Sequence, residues 1–382
     1  MLENGALTGV KVLDLSRLLP GPFCSMILAD HGAEVIAIED KRFQADGLFL
    51  TPVNRNKKHM SLNLKTDAGR EIFFRLAKEA DVVLEGFRAG VVDRLGIGYE
   101  AVRRINDRII YCAVTGYGQT GPLRDRAGHD VNYLALAGVL DQIGEKDRSP
   151  VIPGVQLADI AGGGMYGAIG ILLALLARER TGKGQYIDIS MTDGMVSLLP
   201  VPLFFKQLLG RFPERSNAML SHRYACYNTY ETADGRHVSV GAVENRFWAR
   251  ICTHFGVPEF IPLQYDDERR EEILAFFRTA FRKKTLAEWK VELADLDACC
   301  EPVLTPEEAM EADLFREREM VMDAPPRGGK PAATLGVPVK LSETPGSVRT
   351  PAPGFGESTR DILKDLGYSD TQIDSFSENG VM

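Results

Sequence analysis

Three acidic or basic side chains stand in settings where chemistry could be done. His129 occurs in Ala-Gly-His-Asp-Val-Asn-Tyr-Leu-Ala-Leu-Ala-Gly, at the glycine-marked opening of an apolar helix. A helix start exposes the ring to a ligand; the competing reading is a capping or core histidine held by a backbone carbonyl. Asp159 follows in Leu-Ala-Asp-Ile-Ala-Gly-Gly-Gly. Asp is a favoured N-cap, so a structural cap is one reading. In the other, the three glycines admit a ligand to the backbone, where free N–H groups and the helix dipole favour a developing oxyanion. That site would suit an enolate or a tetrahedral adduct. Glu244, in Gly-Ala-Val-Glu-Asn-Arg-Phe-Trp, is either a first-turn charge or a carboxylate that orients a distant histidine and raises its basicity. The remaining histidines, 31, 59, 222, 237 and 254, read as surface or turn residues.

Cations gather in Asn54-Arg55-Asn56-Lys57-Lys58-His59, and Arg88 and Arg94 flank a turn in Glu-Gly-Phe-Arg-Ala-Gly-Val-Val-Asp-Arg-Leu-Gly. Each run alone reads as a solvated loop. Near the strand ends of one sheet, the two would also be placed to hold the phosphates of a large ligand. The chain is acidic overall, with 45 Lys+Arg against 53 Asp+Glu and a formal charge of -8. It has no basic stripe of the kind that neutralises a nucleic-acid backbone, so nucleic acid is not an expected partner.

Elements that could position these residues follow from hydrophobic periodicity. Short β-branched runs at Lys11–Leu15, Glu34–Glu39, Asp81–Glu85, Ile109–Thr115 and Gln185–Ser190 alternate with amphipathic runs, including a helix capped by Thr66-Asp67 and running to Lys78. This is the βαβ pattern of a mainly parallel sheet. Neither Gly-x-Gly-x-x-Gly after a strand nor a P-loop is present, so the sheet is Rossmann-like without a nucleotide fingerprint. From about residue 225 a hairpin, Tyr227–Thr232 and His237–Val240, turns on Ala233-Asp234-Gly235. Helices at 244–254, 269–281 and 285–296 and a short strand at 301–304 complete a smaller domain. The Pro- and Gly-rich stretch 324–356 leads to a last helix at 358–367.

At 382 residues the chain suits two domains. Its six cysteines, with no Cys-x-x-Cys and one adjacent pair at Cys299 and Cys300, suggest a reducing compartment without a disulfide framework or a zinc site. No export signal is visible, and the expected location is cytoplasmic. The uncharged stretch Ile160–Ala177 reaches the lower length for a membrane span, but its glycines and the lack of aromatic belts make it read as a buried core helix.

Over nearly its whole length the sequence resembles the class III CoA-transferase family, which includes the alpha-methylacyl-CoA racemases. The resemblance rests on Val-Leu-Asp-Leu-Ser-Arg-Leu-Leu-Pro-Gly-Pro (12–22), Gly-Ala-Glu-Val-Ile (32–36), Asn-Arg-Asn-Lys-Lys (54–58), Thr-Gly-Lys-Gly-Gln (181–185), Glu-Pro-Val-Leu (301–304) and Ser-Glu-Thr-Pro-Gly-Ser-Val-Arg-Thr-Pro-Ala-Pro (342–353). It implies an α/β protein with three parts: a large Rossmann-like domain (1–215), a small α+β domain (216–325), and a return linker with a C-terminal helix (326–382) that completes the large one. Two such chains would interlock as a homodimer. Transferases of the family use an aspartate nucleophile at the position of Asp159, whereas the racemases use it as an acid/base. Gly128–Gly138 resembles the racemase motif, and Glu244 matches the glutamate that partners its histidine. The resemblance therefore implies epimerisation at C2 of a 2-methyl-branched acyl-CoA by His129, Asp159 and Glu244, with CoA transfer through Asp159 as the alternative. It implies coenzyme A as part of the substrate and no separate cofactor, contacts to it from Arg55, Lys57, Lys58, Leu62, Lys65, Arg88, Arg94 and Tyr133, and no membrane partner. Two positions depart from the pattern. Val155 stands where the racemases carry an Asn paired with the Asp, and Asp40 stands where an arginine grips coenzyme A, leaving Lys41 or Arg42 to substitute.

Overall fold

A computed structural model describes residues 5–46, 51–325 and 333–382. Contacts divide the chain into two units, Met1–Val139 with Pro153–Leu198 and Asp313–Met382, and Leu140–Ile152 with Leu199–Ala312.

The first unit is built on β1 (Lys11–Asp14), α1 (Pro20–Asp30), β2 (Glu34–Glu39), β3 (Lys57–Ser61), α2 (Asp67–Ala77), β4 (Val82–Glu85), the one-turn helices α3 (Val91–Leu95) and α4 (Tyr99–Arg103), and β5 (Ile110–Thr115). It continues through α5 (Asp130–Leu136), a π-helix (Ala158–Met165) that runs into α6 (Tyr166–Thr181), β6 (Tyr186–Ser190) and α7 (Met191–Val196). The six strands form one parallel sheet in the order β3-β2-β1-β4-β5-β6. Near-continuous apolar runs such as Ile110–Thr115, buried throughout, are what a sheet covered on both faces requires. The chain moves outward from β1 to β3 and then returns to β4, so the order reverses between β1 and β4. Outside the carboxyl ends of those strands lies the crevice where doubly wound sheets take ligands. Under one face, Leu13, Ile38, Met60, Phe73, Val83 and Tyr111 form a core closed by Ile362 and Leu363.

Five of the six strands coincide with the β-branched runs, but β3 falls where a solvated basic loop was expected. Arg55 is buried in a bidentate pair with Asp30 (3.0 and 2.7 Å), and the Lys57 ammonium is enclosed completely. His59, expected at the surface, is also buried; its Nδ1 accepts from the Gly356 N–H at 2.8 Å. His31 is buried too, donating from Nδ1 to the Ile27 carbonyl. The apolar stretch 160–177 is helical as expected but not wholly buried, since Ile169, Leu172, Leu173 and Leu176 are exposed. All six cysteines are free.

In the second unit α8 (Pro200–Leu209) precedes β7 (Tyr227–Glu231), β8 (His237–Gly241), α9 (Asn245–His254), α10 (Arg270–Phe281), α11 (Leu286–Glu292), β9 (Cys300–Pro302) and α12 (Pro306–Glu311). β7 and β8 are antiparallel, and Gly235 takes φ +73° in the turn between them. An aromatic core of Tyr230, Trp248, Phe277, Phe281 and Trp289 holds the unit together. Its limits differ from the expected 216–325. Arg215 bonds to Asp141 and to the Arg148 carbonyl, and Ser216 bonds to the Gly144 carbonyl, so 140–152 and the chain from 199 belong here. At the other end α13 (Asp313–Glu317), β10 (Val321–Asp323), β11 (Ala333–Leu335) and two terminal helices, α14 (Thr359–Asp365) and α15 (Asp370–Glu378), return to the first unit. A single terminal helix had been expected, and part of the proline-rich stretch lies outside the described residues.

Arg55→Met would strand the buried Asp30 carboxylate, and we expect a loss of about 3–5 kcal/mol in urea unfolding followed by circular dichroism. Lys11→Met, which removes only the exposed pair with Glu79, should cost less than about 1 kcal/mol.

Candidate active site

His129 is exposed at the N-cap position of α5, and its backbone N–H donates to Asn132 Oδ1 at 3.0 Å. Asp130, the next residue, reaches across to the π-helix. One of its oxygens, Oδ1, accepts from the Ala158 N–H at 2.7 Å and from the Asp159 N–H at 3.0 Å. Residues 129 and 159 are thereby tied into one corner of the first unit. Asp159 is not the cap of its own helix, as one reading had it; it is the second residue of the π-helix, and Asp130 caps that turn from outside. The Ile160 N–H goes to the Gln156 carbonyl at 3.0 Å. The N–H groups expected to serve a developing oxyanion at this turn are therefore occupied at positions 158, 159 and 160.

Glycine explains where the π-helix lies. A Cβ on Gly162 would sit 2.7 Å from the Met191 carbonyl oxygen, one on Gly163 2.8 Å from Pro20 Cβ, and one on Gly164 2.7 Å from Phe23 Cδ1. The turn is thus wedged between the first residues of α1 and of α7, which leave the carboxyl ends of β1 and β6. π-helical turns often mark functional sites. Burial pushes the Asp159 carboxyl up to about 6, with the charge of Asp130 adding to the rise and His129 opposing it. A half-buried carboxyl near neutrality can exchange a proton with a substrate or act as a nucleophile. Tyr133 packs close by; its hydroxyl donates to the Gly128 carbonyl at 2.5 Å, and burial followed by the Asp159 charge pushes its phenol to about 12.

The cations expected to meet a ligand divide between opposite ends of the sheet. Arg55, Lys57 and Lys58 are at the amino end of β3, where Lys58 pairs with Glu34 at 2.7 Å and the other two are buried. For Arg55 and Lys57 this corrects their reading as a phosphate-holding loop, because their charges are already met within the fold, whereas Lys58 stays exposed in a surface pair. Leu62 and Lys65 follow the carboxyl end of β3, the first buried in the core and the second exposed. Arg88 and Arg94 are exposed on either side of Gly90, at φ +73°, beyond the carboxyl end of β4. There the Phe87 N–H donates to Glu85 at 2.6 Å; burial pushes that carboxyl to about 8.

At the ends of β1 and β2 the sequence reading missed Arg17, which pairs with Glu39 at 2.8 Å and stands 3.5 Å from the centre of the Phe43 ring. Arg42, one of the two expected substitutes with Lys41, pairs with Asp40 at 3.3 Å and faces the same ring at 4.5 Å. Asp130 was likewise missed, although its place directly after His129 in the first turn of a helix was a visible signal. Val155 is exposed and offers Asp159 no polar group. Glu244 belongs to the second unit, at the N-cap position of α9, where its backbone carbonyl rather than its side chain receives the Phe247 N–H.

The family model for CoA-transferase family III matches residues 7–359. The chain belongs to that family. It is 39% identical to the human (Homo sapiens) alpha-methylacyl-CoA racemase over 96% of this chain and 95% of that protein. It is 33% identical to the succinyl-CoA:glutarate CoA-transferase of Mus musculus over 98% of this chain and 90% of that one. Among solved structures, a CAIB/BAIF family protein from Brucella suis superposes with a TM-score of 0.83 at 30% identity, covering 95% of this chain and all of that one. As a family III protein the chain is an enzyme, and racemases and transferases both stand among its relatives.

Asp159 holds its proton more tightly in the fold than the ordinary value of 3.8 allows, so it destabilises the fold progressively as pH rises from 3.8 to about 6 and by its full amount above that. Asp159→Asn should therefore raise the melting temperature more at pH 8 than at pH 4, as read by scanning calorimetry.

Proposed function

We propose that this enzyme epimerises C2 of 2-methyl-branched acyl-CoA thioesters. The observation that carries the reading is the Asp130 bridge, which puts His129 beside a carboxyl poised near neutrality. His129 removes the C2 proton from one face and protonated Asp159 returns one to the other; the reverse direction exchanges their roles. An enolate lies between the two transfers. Glu244 is included as a third catalytic residue, the role implied by the racemase resemblance. The thioester brings its own coenzyme A, and no further cofactor enters the scheme. We place that moiety along the carboxyl edge of the sheet, with Lys65, Arg88 and Arg94 as its exposed cations and Leu62 and Tyr133 packed behind them. The buried Arg55 and Lys57 are not part of this binding scheme, whereas the exposed Lys58 is open to the ligand.

Proton NMR of a 2-methylacyl-CoA in heavy water tests the mechanism. We expect deuterium at C2 and loss of optical purity without an acceptor acid, both abolished in His129→Ala and reduced in Glu244→Gln. Formation of a new acyl-CoA only when a free carboxylate is added, with C2 unexchanged, would instead make Asp159 a transferase nucleophile.

We further propose that the apolar face of α6 is covered by a second copy of the chain. The helix containing it, Ala158–Thr181, is long and apolar enough to cross a membrane. It is nonetheless built into a sheet layer: Gly167 packs on Cys24, and the buried Arg178 pairs with Asp81 at 2.8 Å. Light scattering in detergent-free buffer should give twice the chain mass, and Leu172→Ser with Leu176→Ser should lower it to one. The free cysteines are compatible with the cytoplasmic location we propose.

A further inference from the structure

A buried ion pair behind the site serves no step of the proposed chemistry. Lys57 Nζ lies 3.7 Å from Asp14 Oδ2, with their side chains 0% and 1% exposed. Burying two charges costs several kcal/mol, and apolar residues of similar volume are often no worse for stability. A reason for the pair is therefore to be sought in what its members hold. Lys57 donates to the Pro22 carbonyl at 2.8 Å and to Asn54 Oδ1 at 3.2 Å. Asp14 accepts from the Ser16 N–H at 2.9 Å and from the hydroxyls of Ser16 and Ser25. Every partner except Asn54 belongs to the segment that leaves β1 and opens α1. Gly21 lies so close to Ser16 that a Cβ there would overlap the hydroxyl. The other side of the same first turn presents Pro20 and Phe23, the residues against which Gly163 and Gly164 are packed.

We infer that Asp14 and Lys57 are a positioning pair for the segment that carries Asp159, acting through the first turn of α1. The inference rests on the reading of Asp159 as the reacting carboxyl, and it gives Lys57 a role other than the ligand contact expected of it. With no side chain at the glycines to yield, a displacement of Pro20 or Phe23 passes directly to the π-helix backbone, and a shift of about 1 Å at a reacting group can cost about 100-fold in rate.

Turnover should be read both as C2 deuterium uptake and as acyl transfer to an added carboxylate, whichever the wild-type enzyme performs. Lys57→Met is expected to lower kcat by roughly 10- to 100-fold with KM changed less than about threefold. Lys57→Arg, which keeps a cation, should retain more of the rate. In hydrogen-exchange mass spectrometry, residues 158–165 of Lys57→Met should exchange faster than in wild type while α2 is unchanged. A wild-type kcat in Lys57→Met, or faster exchange spread evenly over the unit, overturns the inference and leaves the pair a role in stability alone. Should Lys57→Met not fold, the near-isosteric Asp14→Asn carries the same readouts and the same deciding outcomes. A wild-type enzyme that performs neither reaction refutes the functional reading; segment-specific exchange then decides the inference by itself.

Discussion

A single carboxylate oxygen, Asp130 Oδ1, receives two consecutive backbone N–H groups, those of Ala158 and Asp159. The geometry of the corner depends on that contact. It fixes the start of α5, and so His129, relative to the start of the π-helix. It also places a negative charge beside Asp159, where burial already disfavours ionisation. Two carboxyl groups in one corner thereby acquire different work: one is spent on backbone donors, and the other is left near neutrality with a proton to exchange. Environments that separate neighbouring carboxyls in this way are a recurrent basis for acid and base assignments.

The parallel sheet supplies the rest by sorting charge between its ends. At the amino end of β3 two cations are neutralised internally, Arg55 by Asp30 and Lys57 by Asp14 and two oxygen acceptors, and Lys58 pairs with Glu34 at the surface. At the carboxyl end, near the reversal of strand order between β1 and β4, Lys65, Arg88 and Arg94 are exposed. Of these six cations, Lys65, Arg88 and Arg94 are the ones a large anionic ligand would meet without breaking an ion pair seen among the described residues. The fold thus separates Arg55 and Lys57, which hold the protein together, from Lys65, Arg88 and Arg94, which face solvent.

How much of this was legible in the sequence varied with the distance over which each feature is determined. Apolar strands were readable because a strand buried on both faces needs a local run of β-branched residues. β3 was not: Lys57-Lys58-His59 looks solvated until the chain returns about 300 residues later, when Gly356, Ser358 and Thr359 cover the strand with hydrogen bonds. The π-helix was hidden because its glycines say only that something comes close, not that Pro20, Phe23 and Met191 do. His129 and Asp159 stood out from local context, whereas the bridge between them depends on a contact spanning 28 residues. The unit boundary was misplaced for the same reason, since the bonds of Arg215 and Ser216 to 141–148 span roughly 70 residues and leave no local mark.

The Asp130 bridge also bears on why one scaffold can host both proton transfer and group transfer. A half-buried carboxyl held by its backbone can attack a thioester carbonyl or protonate a neighbouring carbon, and the same desolvation favours either reaction by weakening hydration of the ionised form. What distinguishes the two is a second titratable group within reach of the same carbon. Attack on the carbonyl needs only the carboxylate, whereas inversion at C2 needs an acid and a base on opposite faces. In the two-base reaction proposed here the second group is His129, exposed at a helix start and tied to Asp159 through the residue that follows it. Under that proposal, the Asp130 contact that secures the π-helix also holds together the two groups the reaction requires.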